Sequence, residues 1–287
     1  MYRLVFLFLI VVVGCIPSAV PPSVVSDTPP QRIISTLPSI TEVLFDIGLG
    51  DRIVGDSSYT KYPLEAEKIP KIGGLYDMNH EQIVLLNPDL IVLSAEGESL
   101  RPPFPAPVLI VDHRTLSGVL DSYLIIGKVF GAESLTVAQQ KRQELLDKLN
   151  EFDARTDKKE PIRTLISIDR SYGTGRIQDV CVAGGDSFLT EVVARAGGKN
   201  VMASSRLSAP MLAAEGVISL APDVIIDIQI SRTDPTQGLA DWQSLGNSVP
   251  AVRHHRILVL TDDFASIPGP RTPMLIEKIV SYFKSIE

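Results

Sequence analysis

The chain has 287 residues, of which 45% are hydrophobic and 21% are charged, and its formal net charge is −7. This length and composition are sufficient for one large globular domain, or two smaller ones, with a buried core. The acidic balance argues against nucleic acid as a partner, because phosphate binding needs a basic face.

The first segment of the chain predicts export and a lipid anchor. Arg3 precedes an unbroken apolar run over residues 4–13, which has the length of a signal peptide and is too short to span a bilayer. The residues before Cys15 resemble a lipobox, in which cleavage leaves the cysteine lipidated at the new N-terminus. We therefore expect a lipoprotein signal peptide at 1–14 and a proline-rich extended tether at 15–31. The alternative is an ordinary signal peptide in which Cys15 is incidental.

Short runs rich in Val, Ile and Leu recur from residue 32 onwards, with amphipathic helix patterns between many of them. Continuous apolar strands separated by helices indicate parallel sheets that are covered on both faces. The predicted fold class is therefore α/β. The strands are predicted at residues 32–35, 52–55, 90–94, 108–111, 164–168, 180–183, 224–228 and 257–260.

The two halves of the chain share an internal repeat. Residues 41–44 (TEVL) are matched by 190–193 (TEVV), and 81–92 (EQIVLLNPDLIV) by 215–226 (EGVISLAPDVII), in the same order. In the second pair of segments a glutamate opens a short helix, a proline ends it, and a buried strand follows. Two lobes of like construction are predicted.

Two capping-box patterns predict helix starts. Ser39 with Glu42 predicts a helix just after the first strand, and Thr136 with Gln139 predicts the start of a long helix. The long helix carries one apolar and one charged face over residues 136–153, and it would run the height of a small domain.

The position of the long helix divides the chain. We predict an N-terminal lobe at 32–133, a linking helix at 134–156 and a C-terminal lobe at 157–287. Only modest closure of the two lobes is expected, because bending a helix breaks backbone hydrogen bonds.

Six stretches together resemble a known family in its own order from residue 32 to near the chain end. They are 32–55, 57–63 (SSYTKYP), 71–93, 188–201, 213–227 and 268–271 (PGPR). The family is that of the helical-backbone periplasmic binding proteins of ABC importers for iron-siderophores, haem and cobalamin. The resemblance implies two Rossmann-like lobes with mostly parallel sheets, joined by one long backbone helix, with a ligand cleft between them. It also implies an extracytoplasmic protein that delivers a metal chelate to a permease. Together with the lipobox-like segment, we expect a lipid-anchored monomer without catalysis and without a resident cofactor.

The resemblance further implies that one glutamate on each lobe docks on the permease, and the matching positions are Glu81 and Glu215. The same two residues are the charged landmarks of the repeat, one in each half. Two symmetrically placed carboxylates can fix orientation on a two-fold transporter. The alternative is that each is merely a favourable residue at a helix start.

Ligands of open α/β sheets bind beyond the carboxyl ends of the strands. In the N-terminal half, the corresponding loops contain Leu37, Pro38, Tyr59, Leu75, Tyr76, Glu96, His113 and Arg114. From these loops and their C-terminal counterparts we selected aromatic residues, which offer rigid contact area, and arginines, which suit an anionic group. The candidate ligand contacts are Tyr59, Tyr76, Arg170, Tyr172, Arg176, Arg232, Trp242, Phe264 and Arg271.

Several alternatives remain open within this set. Tyr59 matches the family's position for an aromatic that faces the cleft, whereas Trp242 is equally compatible with a place in the core. Each arginine alone is typical of a surface ion pair, but together the arginines favour an anionic iron chelate. Leu75 stands where corrinoid binders tend to carry tryptophan, which weakens a cobalamin assignment.

Other functional classes find less support in the sequence. A bare zinc or manganese site needs three or four converging ligands, and the histidines are His80, His113, His254 and His255. The last two are adjacent and would point in opposite directions on an extended strand. Nucleophile-elbow, phosphate-loop and zinc-protease motifs are not found, which argues against a cleft hydrolase. A surface sensor that signals through another chain is the third alternative.

Overall fold

The computed structural model describes residues 28–100, 104–155, 160–230 and 236–286. Cys15 and the predicted signal peptide lie outside the described residues, as does Arg232. The first half of the chain forms one sheet with its covering helices, followed by a long helix. Its elements are β1 (Ile33–Ser35), α1 (Pro38–Asp46), β2 (Ile53–Asp56), α2 (His80–Leu85), β3 (Leu90–Ser94), β4 (Val108–Val111), α3 (Leu116–Val129) and α4 (Ala132–Arg155).

The second half of the chain forms a second sheet. Its elements are β5 (Ile162–Arg170), β6 (Asp179–Val182), α5 (Phe188–Arg195), β7 (Gly198–Asn200), β8 (Met211–Ala213), α6 (Ala214–Leu220), β9 (Val224–Ile228), α7 (Thr236–Gln243), α8 (Pro250–Arg253), β10 (Ile257–Leu260) and α9 (Thr272–Ser285). The α/β fold class and the two-lobed construction are therefore confirmed.

The sheet of the N-terminal lobe is parallel throughout and has the strand order β2-β1-β3-β4. The central strands β1 and β3 are buried along their whole length, as expected for continuous apolar strands covered on both faces. Because all four strands run in one direction, the loops at their carboxyl ends meet at the same edge of the sheet.

The sheet of the C-terminal lobe is mixed. The parallel strands β10, β9 and β5 are extended by the antiparallel strands β6 and β8, and β7 pairs with the first part of β5. The sequence patterns did not predict β7 or β8. The β7 sequence Gly-Lys-Asn contains no apolar side chain, and β8, Met-Leu-Ala, is apolar but has only three residues, which is too short to mark a strand.

Helix α4 links the lobes and begins four residues earlier than the capping-box pattern predicts. The hydroxyl of Thr136 donates to the carbonyl oxygen of Ala132 at 3.0 Å, so Thr136 lies within the helix and the predicted cap is wrong. On its apolar face Ala138, Leu145 and Leu149 are buried, and α4 packs against α3, α5 and α9. It thus contacts both lobes. The exact lobe boundaries remain a prediction.

The internal repeat appears as two matching helix–strand units. Helix α2 precedes β3 and helix α6 precedes β9, with exposed Glu81 and Glu215 in their first turns. Both helices end at a residue with positive φ, Asn87 at 43° and Ala221 at 42°, and a proline follows in each case. The left-handed residue and the proline stop each helix in the same way, so the two glutamates occupy equivalent positions on the two lobes.

Candidate ligand-binding cleft

A cavity of about 600 Å³ lies between the two lobes, and we call it the interlobe cavity. Its walls come from loops at the carboxyl ends of strands in both sheets, which is where open α/β folds bind ligands. The N-terminal lobe contributes Leu37, Pro38, Ser39, Tyr59, Lys61, Glu96, His113 and Arg114. The C-terminal lobe contributes Ile168, Asp186, Ser187, Phe188, Leu189, Ser208, Ala209, Ile230, Asp263, Ser266, Ile267 and Pro268.

The N-terminal wall agrees with the loops predicted from the sequence. Much of the C-terminal wall was missed, namely residues 186–189, 208–209 and 266–268. The antiparallel strand β6 redirects the chain, and the predicted parallel pattern did not place the loop after it at the cavity. Ser187 accepts a hydrogen bond from the Leu189 amide and caps α5. A serine just before an apolar helix pattern is a helix-start signal, so the sequence could have predicted the start of α5 at this residue.

Tyr59 lies on the cavity wall, and 66% of its surface is exposed. Its ring packs against the backbone of Gly74, where an added Cβ would stand 2.6 Å from Tyr59 Cε2. Tyr76 is 80% exposed but lies outside the wall. Tyr59 is therefore the large, accessible aromatic side chain that the described part of the N-terminal lobe presents to the cavity.

Arg170 is not available to a ligand, which corrects the prediction. Its side chain is fully buried, and its guanidinium pairs with Asp227 at 2.8 Å and with Asp241 at 2.9 Å. A third hydrogen bond runs from Nη2 to the carbonyl oxygen of Gly238 at 2.8 Å. Two carboxylates neutralise the buried cation, so Arg170 ties the C-terminal lobe together and does not bind an anionic ligand.

Three of the aromatic candidates are also structural. Trp242 is completely buried, and its indole N–H donates to Asp227 Oδ2 at 2.8 Å, so its assignment to the cleft is wrong. Phe264 is buried as well and lies outside the cavity wall. The ring of Tyr172 lies 4.1 Å from the Arg170 guanidinium carbon, and its hydroxyl donates to the Ile228 carbonyl oxygen at 3.2 Å. None of these three rings lies on the wall of the interlobe cavity.

Arg176 and Arg271, the other described arginines of the candidate set, lie outside the wall of the interlobe cavity. Arg271 is engaged by Glu42 at 2.5 Å and by Asp263 at 2.9 Å, and its side chain is only 10% exposed. Arg176 is exposed but stands outside the cavity wall. The predicted concentration of arginine charge around the cleft is therefore absent among the described residues. The prediction failed because the sequence does not show which carboxylates pair with Arg170 and Arg271.

The cavity itself is mostly apolar and nearly balanced in charge. Lys61 and Arg114 contribute positive charge, and Glu96, Asp186 and Asp263 contribute negative charge. Arg114 pairs with Asp112 at 2.6 Å and reaches Asp186 at 3.6 Å. Such a lining suits a bulky amphiphilic ligand of low net charge better than a polyanion.

His113 is a buried polar residue on the wall, with 4% of its surface exposed. Its Nδ1 lies 2.9 Å from Ser39 Oγ, whereas its Nε2 is buried and finds no hydrogen-bond partner in the described part of the chain. Burial lowers the pKa of the imidazole to about 4, so the ring is neutral at pH 7.

Helix α1 starts at the cavity and is uncapped. Its first residue is Pro38, and no side chain accepts from its N-terminal amides, so the predicted Ser39–Glu42 capping box is wrong. Glu42 turns instead to Arg271, and burial raises the pKa of its carboxyl even though Arg271 opposes the shift.

Comparison with known proteins identifies the family of this chain. A family model described as periplasmic binding protein matches residues 33–264. The chain belongs to the periplasmic binding protein family. The predicted resemblance to solute-binding proteins is thereby confirmed.

The relatives match nearly the whole chain. It is 24% identical to the vitamin B12-binding protein of Vibrio parahaemolyticus serotype O3:K6, over 91% of this chain and 92% of the relative. It is 27% identical to YvrC of Bacillus subtilis, an ABC transporter substrate-binding lipoprotein, over 90% of this chain and 80% of the relative. The crystal structure of the periplasmic vitamin B12 binding protein of Vibrio cholerae superimposes with a TM-score of 0.75 at 24% identity, covering 90% of this chain and 98% of that one. The likeness in structure supports the two-lobed fold.

Two features are absent from the described ranges. No three His, Cys, Asp or Glu side chains converge there in a way that could hold a metal ion. Among the same residues, no helix combines the length and the apolar character required to cross a bilayer.

Proposed function

We propose that this protein is the extracytoplasmic solute-binding component of an ABC importer and that it captures a bulky metal chelate in the interlobe cavity. The observation that carries the proposal is the cavity of about 600 Å³ between the lobes, with one accessible aromatic ring and an apolar lining. Its volume falls within the range of sites that enclose a small-molecule ligand. Binding is reversible and involves no catalysis.

A corrinoid is the first candidate ligand, with haem second and a ferric siderophore third. Support comes from the two relatives named for vitamin B12 and from the balanced charge of the cavity, which removes the argument for a polyanionic chelate. Leu75 is buried beside Gly97, so no aromatic ring faces the ligand from that position. Tyr59 then provides the aromatic contact with the ligand on the N-terminal wall.

The ligand class is tested by isothermal titration calorimetry of the purified protein with cyanocobalamin, haemin and ferrichrome. We expect at least one of the three to bind in a 1:1 ratio, and cyanocobalamin to bind the tightest. Absence of heat with all three would overturn the proposed ligand class. Visible absorbance of the protein as purified provides an independent check, because each chelate has its own spectrum.

We also propose that Glu81 and Glu215 dock the loaded protein on the permease. Both are exposed, and they occupy equivalent positions on α2 and α6. A symmetric pair of carboxylates suits a partner with two-fold symmetry and cationic contact points, where charge complementarity provides orientation and specificity.

The docking role is tested with the double variant Glu81→Lys/Glu215→Lys. Uptake of radiolabelled ligand by cells should be lost, while the dissociation constant of the purified protein stays unchanged. Glu67→Lys/Glu133→Lys, at two other exposed glutamates, is the matched control and should transport normally. Normal uptake by the docking variant, or loss of its ligand affinity, would contradict this division of roles.

The lipid anchor on Cys15 is part of the same proposal, supported by the lipobox-like segment and by the description of the Bacillus subtilis relative as a lipoprotein. Cys15→Ser should abolish incorporation of labelled palmitate and release the protein from membranes. Retention of the label would show that lipid is attached elsewhere.

A further inference from the structure

We propose that Ser39, His113 and the N-terminus of α1 form an oxyanion subsite in the interlobe cavity, which receives a carboxylate or phosphate group of the ligand. The inference rests on the proposed function, because it assigns a role to one wall of the same cavity. Its chemistry is hydrogen bonding to a single acidic substituent on an otherwise weakly charged chelate.

The first observation is the orientation and the state of α1. This helix of nine residues begins on the cavity wall, where Leu37, Pro38 and Ser39 all line the cavity, and no side chain caps it. The amides of Ile40 and Thr41 donate to the Leu37 carbonyl oxygen and Pro38 has no N–H, so the Ser39 amide is the donor that this helix start offers to a ligand. The exposed start of a helix has a positive partial charge and favours anions. The carboxylate that could have supplied compensation, Glu42, is engaged by Arg271.

The corresponding helix of the C-terminal lobe is different. Helix α5 also starts at the cavity, but Ser187 caps it and the amide of Phe188 donates to the carbonyl oxygen of Arg114 at 2.8 Å. Glu191 adds a negative charge in the first turn of α5. The first amides of α5 therefore already have hydrogen-bond acceptors. We accordingly expect an anionic group of the ligand to bind beside α1 and not beside α5.

The second, independent observation is the unpartnered nitrogen of His113. Buried polar atoms in proteins are almost always hydrogen-bonded, and an exception calls for an explanation. His113 Nε2 is such an exception within the residues that the structure describes, and the residue that carries it lines the cavity. A ligand group in the cavity would supply the missing partner.

The Ser39 contact is compatible with either tautomer of the neutral imidazole, and the subsite requires the one that has its proton on Nε2. When the Ser39 hydroxyl donates to Nδ1, across the 2.9 Å contact, the proton of the neutral ring resides on Nε2. His113 then offers one N–H donor to an acceptor. Arg114 and Lys61 on the same lobe add positive charge near the subsite, while Glu96 opposes them.

The acidic group can come from two sources, and paired probes distinguish them. Haemin carries two propionate carboxylates, and in its dimethyl ester both are converted to uncharged esters. Cyanocobalamin carries a phosphate in its nucleotide loop, and dicyanocobinamide lacks it. Calorimetric titration of the full-length protein with both pairs therefore identifies the acid that the subsite receives.

The variants are His113→Phe and Ser39→Ala, with His113→Gln as a second variant that retains an N–H donor. Loss of a hydrogen bond to a charged group corresponds to roughly a tenfold or greater loss of affinity. We expect this loss in His113→Phe for the acid-bearing member of one pair, and a change of less than about twofold for its neutral partner. His113→Gln should recover part of the affinity.

Ser122→Ala is the control for Ser39→Ala, because Ser122 is also a buried serine with one hydrogen bond but lies outside the cavity wall. Equal losses for both members of a pair would show that His113 only packs, and unchanged affinities would remove it from the site. Either result overturns the subsite and leaves the proposed function standing. If the wild-type protein binds no member of either pair, the proposed tetrapyrrole ligands fail, and the subsite fails with them.

Discussion

Tyr59 depends on Gly74 for its position at the mouth of the cavity. The ring lies so close to the Gly74 backbone that a Cβ would stand 2.6 Å from the Tyr59 ring and 2.7 Å from Asp77 Oδ1. Gly74 does not have a positive φ, so the backbone itself would tolerate alanine. Because Gly74 has no side chain, the Tyr59 ring can approach the loop this closely.

This contact leads to a paired prediction. Tyr59→Ala should weaken ligand binding by roughly 1–3 kcal/mol, because a rigid aromatic contact is lost. Gly74→Ala should also weaken binding, but only when Tyr59 is present, since it acts by displacing that ring. Calorimetry on the two single variants and the double variant tests the coupling.

Gly216→Ala is the matched control, because its Cβ would meet Leu212 at an ordinary 3.5 Å. If Gly74→Ala lowers affinity equally in the Tyr59→Ala background, the glycine does not act through the ring. An unchanged dissociation constant in Tyr59→Ala would remove Tyr59 from the site.

His113 predicts a dependence of stability on pH. Its imidazole has a folded-state pKa of about 4 against an ordinary value of 6.5. Between these values the unfolded chain binds a proton and the folded chain does not, so the free energy of unfolding decreases as the pH falls from 6.5 to 4. At 1.36 kcal/mol per pKa unit, the full effect is about 3 kcal/mol.

Urea unfolding at several pH values measures this effect as a difference between the wild type and His113→Gln. Asp56, whose pKa burial raises to about 6, changes stability in the opposite direction over part of this range. Both proteins contain Asp56, so its contribution cancels in the difference. Parallel pH curves for the two proteins would contradict the assignment of a neutral, buried His113.

The roles of individual residues could be predicted only in part. Tyr59 and His113 follow predicted strands directly, so the rule for carboxyl-end loops placed them at the cavity. Arg170 obeys the same rule, yet its partners Asp227 and Asp241 lie 57 and 71 residues away in sequence. Whether an arginine meets a ligand or a carboxylate depends on such distant partners, which periodicity does not reveal.

At the scale of elements, one contact joins α1 of the N-terminal lobe to the chain just before α9 of the C-terminal lobe. Arg271 pairs with Glu42 through two hydrogen bonds and with Asp263 through two more, and its guanidinium carbon lies 4.2 Å from the Tyr62 ring. Glu42 is buried, and removing its cation would leave its charge without a partner.

Arg271→Met should therefore destabilise the protein by roughly 3–5 kcal/mol in urea unfolding at pH 8. Adding Glu42→Gln should restore part of the loss, because the buried charge is then removed as well. Lys278→Met is the control, since Lys278 pairs with Asp262 at a half-exposed position and should cost less than about 1 kcal/mol. Equal effects of Arg271→Met and Lys278→Met would show that the contact between lobes contributes little.

The sequence predicted the strands best where several apolar residues follow one another without interruption. Strands β3, β4, β9 and β10 have the predicted bounds, because each is an uninterrupted apolar run between turn signals. Both capping boxes were wrong, since Glu42 found a stronger partner in Arg271 and Thr136 lies within α4. In α1 the local pattern was overridden by a tertiary partner, whereas in α4 the helix begins before the predicted cap and Thr136 bonds to its own preceding turn.

At the scale of the molecule, the two sheets are joined through α4 and share one apolar cluster. That cluster contains Ile33 and Leu90 from the first sheet, Leu149 from α4, and Ile226 and Ile276 from the second lobe. A shared core and a continuous helix resist large rotation of one lobe against the other. We therefore expect the interlobe cavity to admit its ligand with only small changes in lobe orientation.

The central claim is that the ligand occupies the cavity between the lobes. Ala209 lines the C-terminal wall, and Ala209→Trp would fill the space, whereas Ala240→Trp places the same side chain on an exposed face of α7. Because Trp242 is buried in the core, calorimetry is a more direct measurement than its fluorescence. We predict 1:1 binding of cyanocobalamin or haemin by the wild type and by Ala240→Trp, and loss of binding in a folded Ala209→Trp. Undiminished binding by Ala209→Trp would contradict the account.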